Sequence, residues 1–243
     1  MVSIESAVRP ASLVGAGRRF YRCVRTTVEW SGIIAILLQS IILAAAFGSG
    51  AALLLLVAAA LVTAAQLLEN SRRDSVAPIS EPRNWRNALA NAGVATGYAL
   101  LSLLSSSTQL RSAFVIGAVA TLAASLSDSL SHGIGVVFGG KPRLITTWQL
   151  VEPGENGGVS LAGSAVGIVS AFGFAALAVF VGLVGWPGAL LAATAACAGN
   201  LIDSLLGATV ERRGLMANEG VNFSAVSFAG AIVLLAFFTL NLG

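Results

Sequence analysis

KPRLITTWQLVEPGENGGVS, running from Lys141 to Ser160, is a polar island in a chain whose neighbouring segments carry almost no charge. Before it lies SAFVIGAVATLAASLSDSL, Ser112 to Leu130; after it comes VSLAGSAVGIVSAFGFAALAVFVGLV, Val159 to Val184. Both flanks approach or exceed the ~20 apolar residues that a helix needs to cross a ~30 Å hydrocarbon core. Across all 243 residues, 56 % are hydrophobic and only 10 % charged, against about 25 % charged in soluble domains. With a mean hydropathy of +0.85, the expected fold class is all-α, a polytopic membrane protein. Period-two alternation is absent, which argues against a β-barrel.

Working outward from the island, the hydropathy predicts about seven spans, at Ser31–Phe47, Ala51–Leu68, Ala88–Ser105, Ser112–Leu130, Val159–Val184, Gly188–Ala208 and Val221–Leu242. The short breaks Gly48-Ser49-Gly50 and Gly185-Trp186-Pro187 make hairpins of their neighbours. Three segments follow: a basic lead, residues 1–30, without a signal-peptide cleavage pattern; a first hairpin, 31–69; and a membrane domain of repeated hairpins, 70–243. Alanine, glycine and serine are abundant in the spans, as close helix packing requires.

Thirteen of the fourteen basic residues fall on one side if the amino terminus is cytoplasmic, with Arg111 alone outside. Every acidic residue falls on that same side, including Asp128 and Asp203 at the expected inner ends of the fourth and sixth spans. The positive-inside rule therefore predicts an inner-membrane protein with its amino terminus in the cytoplasm and its carboxyl terminus outside. The net charge of +3 suits anionic membrane lipids. No basic patch interleaved with aromatics points to a nucleic acid. The two cysteines, Cys23 and Cys197, read as free thiols.

The polar residues repeat. Asn91-Ala92-Gly93-Val94, Asn156-Gly157-Gly158-Val159 and Asn218-Glu219-Gly220-Val221 share N-x-G-V, each at the expected entrance of an outward-going span. Leu126–Leu130 and Leu201–Leu205 both read L-x-D-S-L, bringing Ser204 beside Asp203. Parallel hairpin repeats about an axis along the membrane normal would gather these residues round one point at the cytoplasmic boundary.

Ionised residues in or at the end of a span are expensive and usually functional. Asp128 and Asp203 are therefore the leading catalytic and metal-ligand candidates. Two carboxylates suit Mg²⁺, which takes few carboxylates, several waters and phosphate oxygens. The glycine-rich run Pro153–Gly158 leads into a long helix, so Gly154, Asn156, Gly157 and Gly158 are candidates to cradle phosphate. Lys141 and Arg143 would neutralise it, and Thr147 and Ser160 would add hydroxyls. The spacing is not that of a Walker A loop. Asn87 and Asn91 share a helix face; with Arg83 and Arg86 they form either an interfacial belt or another wall of the same site.

These stretches resemble the domain-of-unknown-function 92, or transmembrane protein 19-like, membrane family: K-P-R-L-I-T-T with P-G-x-N-G-G-V-S, then G-N-L-I-D-S-L-L-G-A at Gly199–Ala208, and Asn218 to Asn222 before the last span. The resemblance covers Asn84 to the carboxyl terminus; the first two spans match in hydropathy only. The family includes plant chloroplast phytyl-phosphate kinases of tocopherol synthesis. It implies transfer of a phosphoryl group from CTP or another nucleoside triphosphate to an isoprenyl monophosphate, with Asn218 and Asn222 near the phosphate. One departure stands out. Where the family usually reads D-T-x-x-S-E-x-G, this chain has Asp128-Ser129-Leu130-Ser131-His132-Gly133-Ile134-Gly135. A carboxylate is replaced: either Glu155 supplies it, or substrate and metal binding differ, or activity is lost. Cytidylyl transfer to a lipid and non-enzymatic transport of a small anion or lipid are the competing functions; confinement of the polar residues to one side weighs against transport.

Overall fold

A computed structural model describes residues 28–72 and 82–240. Most of the basic lead segment, including Cys23, and the end of the last expected span lie outside the described residues. Seven helices there are long and apolar enough to cross a membrane: α1 (Trp30–Phe47), α2 (Ser49–Arg72), α3 (Trp85–Leu104), α4 (Thr108–Phe138), α5 (Leu161–Phe180), α6 (Trp186–Leu206) and α7 (Asn218–Thr239). All seven expected spans are present. The protein is an integral membrane protein, as its composition requires.

Local chemistry sets the helix starts. Asn84 and Asn87 form a reciprocal capping box that opens α3, satisfying amide hydrogens that have no partner within the helix. The hydroxyls of Ser107 and Ser160 accept from Leu110 N–H and Gly163 N–H at the starts of α4 and α5. Pro187 occupies the first turn of α6, where its missing N–H does no harm. Gly48 separates α1 from α2 with φ of +89°.

The central element is α4, which packs against α2, α3, α5, α6 and α7, while α1 lies outside against α2 and α3. The buried face of α4 is mostly small, including Ala113, Gly117, Ala118, Ala120, Ala123 and Ala124. Small faces allow the close backbone approach on which packing in lipid depends, because lipid tails are as apolar as leucine. Gly199 of α6 shows this most sharply. A Cβ at that position would lie 3.0 Å from the Ala225 carbonyl oxygen of α7 and 3.2 Å from the Ala124 Cβ of α4.

Two features differ from the expectation. Helix α4 does not end near Leu130; it continues to Phe138, so Asp128 stands well inside the helix rather than at its end. The chain reads Ser129-Leu130-Ser131-His132-Gly133 there without a proline, and nothing in it stops the hydrogen-bond ladder. The three N-x-G-V motifs are also not structurally equivalent. Asn91 lies in the second turn of α3, Asn156 in a loop before a strand, and Asn218 at the first residue of α7. The island itself contains a two-stranded antiparallel ribbon, β1 (Arg143–Leu144) and β2 (Gly158–Val159), with Arg143 opposite Val159.

Candidate active site

Asp128 and Asp203 meet. Their carboxylates lie within hydrogen-bonding reach of each other, brought together from α4 and α6. The cause is one turn away: Ala124 and Gly199 sit four residues before Asp128 and Asp203 and touch each other, and residues four apart share a helix face. The narrow cleft around the pair is lined by Asn91, Ser125, Asn200 and Asn222 as well as the two aspartates. Four residues singled out in the sequence, Asn91, Asp128, Asp203 and Asn222, thus line one cleft although they come from α3, α4, α6 and α7.

A hydrogen-bonded frame holds the walls. Ser125 donates to Asn91 Oδ1 at 2.9 Å, and the Asn222 amide reaches the same oxygen at 3.5 Å. Asn91 in turn donates to the Asn87 carbonyl at 2.7 Å. On the other side the Asn200 amide donates to Ser127 at 2.8 Å, and Ser127 donates to the Gly167 carbonyl. Asn91 and Asn200 therefore each tie a wall of the cleft to α4. Asp203 Oδ1, by contrast, is shielded from solvent and has no hydrogen-bond partner among the described residues.

Two close carboxylates repel unless a proton or cation separates them. A shielded, unpartnered carboxylate oxygen beside a second carboxylate is a donor set that fits a hard divalent cation such as Mg²⁺. Among the described residues no three His, Cys, Asp or Glu side chains stand close enough to hold a metal alone, so other ligands would have to be water or substrate oxygen. That is the usual manner of Mg²⁺ in phosphate chemistry.

Cationic charge comes from Arg83, just before α3, which interacts electrostatically with Asp128 and with Glu69 of α2. Enclosure by protein pulls its guanidinium below the ordinary value, and the two carboxylates pull it back. Its Nε donates to Gln66 Oε1 at 2.8 Å, which aims the side chain across the end of α2.

The island meets this site indirectly. Gly157, at φ +75°, packs against Gly207 and Ala208, the π-helical turn Gly207–Glu211 that continues α6 beyond Asp203. A side chain at 157 would collide with the Ala208 backbone, so glycine is required there for both φ and space. Glu155 forms an ion pair with Arg212, clamping the loop to that turn. Much of the loop's own polarity is internally used. Arg143 donates to the Trp148 carbonyl at 2.7 Å, Thr147 Oγ1 accepts from Gln149 N–H, and the N–H groups of Glu155 and Gly158 close turns. Ser160 caps α5. Lys141, Gly154, Asn156 and Asn218 lie at the surface or partly so, and Ser204 accepts from Gly207 N–H through its carbonyl. None of these is among the described residues that line the carboxylate cleft.

Four contributors escaped the sequence reading: Ser125, Asn200, Ser127 and Glu69. A signal existed for the first two, since Ser125 and Asn200 each stand three residues before an aspartate and so share its helix face. Glu69 followed the expected end of the second span, but α2 runs on to Arg72. It is 5 % exposed, and its carboxylate stands 3.9 Å from His132 Nε2. The carboxylate beside His132-Gly133 thus comes from α2, while Glu155 is engaged with Arg212.

With this geometry in view, sequence comparison is informative. The profile of integral membrane protein DUF92 matches residues 16–231. The chain belongs to this family. It is 35 % identical over 164 residues to an uncharacterized membrane protein of Methanocaldococcus jannaschii, covering 65 % of this chain and 64 % of that one. It is 33 % identical over 153 residues to Protein PGR of Arabidopsis thaliana, covering 54 % and 53 %. To Protein VTE6, chloroplastic, of the same plant it is 30 % identical over 125 residues, covering 50 % and 38 %. The chain thus spans less than two thirds of each of these relatives. The family match reaches back through α1 and α2, beyond the stretch from Asn84 onward in which sequence motifs could be recognised. No solved structure matches.

Proposed function

We propose that this protein is an isoprenyl-phosphate kinase of the phytyl-phosphate type, moving the terminal phosphoryl group of CTP or another nucleoside triphosphate to an isoprenyl monophosphate. The observation that carries the proposal is the meeting of Asp128 and Asp203 in a cleft walled by Asn91 and Asn222, with Arg83 in electrostatic reach. The charge distribution supports a cytoplasmic placement of this end of the bundle, in a cell inner membrane. There a lipid phosphate lies at headgroup level and a nucleotide arrives from water.

In the reaction an oxygen of the lipid monophosphate forms a bond to the γ-phosphorus. The β–γ bridging bond breaks, and the nucleoside diphosphate leaves with that electron pair. The attacking oxygen is already anionic, so the protein's task is positioning and charge neutralisation rather than proton removal. Asp128 and Asp203 would hold Mg²⁺, which when bound neutralises charge on the transferring phosphoryl group. Arg83 supplies a fixed cation, the Asn91 and Asn222 amides orient oxygens, and Lys141 and Arg143 give the adjoining face of the island positive charge.

The test is to incubate the purified protein with isoprenyl monophosphates of several lengths, Mg²⁺ and each nucleoside triphosphate, and identify products by mass. The expected product is the isoprenyl diphosphate, lost in Asp203→Asn while the thermal unfolding profile is kept. Robust turnover by Asp203→Asn removes the assigned role. A CDP-linked lipid with pyrophosphate would reassign the protein to cytidylyl transfer, and nucleotide-independent flux in liposomes to transport.

A further inference from the structure

A second cavity lies beside the carboxylate cleft and shares two walls with it. It is a groove between α1, α2, α3 and α4, open on one side, with a cavity volume of about 70 Å³. At one end stand Arg83, Asn84, Asn87 and Asn91; away from them the lining is Ile36, Leu55, Ala58, Val62 and Leu122. Asn91 and Ser125 belong to both cavities. The groove is therefore polar and cationic where it joins the aspartates and apolar elsewhere. Even Thr63 conforms, because its hydroxyl donates to the Ala59 carbonyl at 2.7 Å.

We infer that this groove, built by the first hairpin, is the seat of the hydrocarbon tail of a single-chain isoprenyl monophosphate, with the phosphate at Arg83 and Asn91. Three observations select this occupant. Continuity through Asn91 and Ser125 puts a headgroup at one end of the groove next to the carboxylate pair. Among the described residues lining the groove the only charged one is the cation Arg83, which, shared with Asp128 and Glu69, is the group an anionic head would meet. The lining residues of α2 run from Leu55 to Thr63, about 12 Å at ~1.5 Å per residue, so this wall of the groove follows part of a ~30 Å core. A single chain descending from the headgroup level fits that length. Small walls at Ala58, Ala59 and Ala92 make the space, and because lipid offers an equally apolar medium, selection must come from shape and the headgroup contact.

The inference rests on the reading that the acceptor is an isoprenyl monophosphate, and its test separates the two. The full chain in liposomes is photolabelled with farnesyl monophosphate carrying a diazirine at the tail end, and the modified residues are mapped by mass spectrometry. Labels are expected on the groove floor, at Leu55, Val62 or Leu122, and not on lipid-facing Leu100 or Leu103. Excess unlabelled farnesyl monophosphate should suppress them and phosphatidylglycerol should not. Ala59→Phe should lower labelling by about tenfold, the size of a small-to-large clash in binding terms; if that variant does not fold, the map on the unaltered chain decides alone. Labels on the outer face, or equal competition by phosphatidylglycerol, overturn the inference. Groove labelling without any turnover would sink the kinase reading and leave the groove standing. Turnover with labelling elsewhere would do the opposite.

Discussion

Ala124 of α4 and Gly199 of α6 are in contact one helical turn before Asp128 and Asp203, and the missing side chain at 199 is what permits it. The carboxylate pair is thus a consequence of backbone approach. Placing valine at 199 would push on the Ala225 carbonyl and on the Ala124 and Ala229 methyl groups. Overpacking of this kind costs about 1–3 kcal/mol. Gly199→Val is expected to lower the thermal midpoint in detergent and abolish phosphoryl transfer. Gly97→Ala, where nothing lies within 4 Å of an added Cβ, should leave both unchanged. Equal behaviour of the two variants would remove the role given to this contact.

Asp128 and Asp203 are expected to behave as a unit. If they share one cation, removing either charge removes most of the benefit, and effects within one site are not additive. Asp128→Asn and Asp203→Asn should each reduce turnover on the order of 10²-fold or more, as loss of one charge-stabilising group does, and the double variant should be little worse than the singles. Losses that multiply would show two independent roles.

Much of this arrangement was legible in the sequence, for identifiable reasons. Composition dictates spanning helices, because lipid leaves backbone groups no other partner. Asp128 and Asp203 stood out because charge in such spans is rare. Depth was harder to read: Asp128 looked like a helix end since Ser131, His132 and Gly133 are polar or small, yet small residues continue a buried helix as readily as they end one. Glu69 was missed for the same reason at the end of α2. The island is a different case. Its glycines and hydroxyls suggested a phosphate cradle, while Gly157 serves a close approach to Ala208 and Ser160 serves as a cap. Tertiary demands on Gly157 leave no trace in local composition.

The position of Glu155 gives a clean contrast with Glu69. Glu155 pairs with Arg212 at a site where both side chains are more than a third exposed, and such pairs contribute about 0–1 kcal/mol. Glu155→Gln should leave turnover within a few-fold of normal and shift the thermal midpoint little. Glu69→Gln alters a 5 % exposed carboxylate beside His132 and near Arg83, so it should lower turnover well beyond that. The reverse ranking would return Glu155 to the place of the replaced family carboxylate.

Asn91 joins the two cavities, and its truncation should be felt in both. Its Oδ1 takes hydrogen bonds from Ser125 and Asn222, both buried residues at 8 % exposure. Asn91→Ala strands a hydroxyl and an amide, and each buried polar group left without a partner costs about 1–3 kcal/mol. A lower thermal midpoint is therefore expected. Asn91→Asp keeps the acceptor oxygen for Ser125 and Asn222 but loses the single donor to the Asn87 carbonyl and adds negative charge next to the carboxylate pair, where like charges repel. It should retain more stability than the alanine variant while losing phosphoryl transfer, with partial recovery as Mg²⁺ is raised. Thermal unfolding and turnover measured across a Mg²⁺ series test this together. Full activity of Asn91→Asp at low Mg²⁺ would mean that the residue frames the cleft without facing the phosphate.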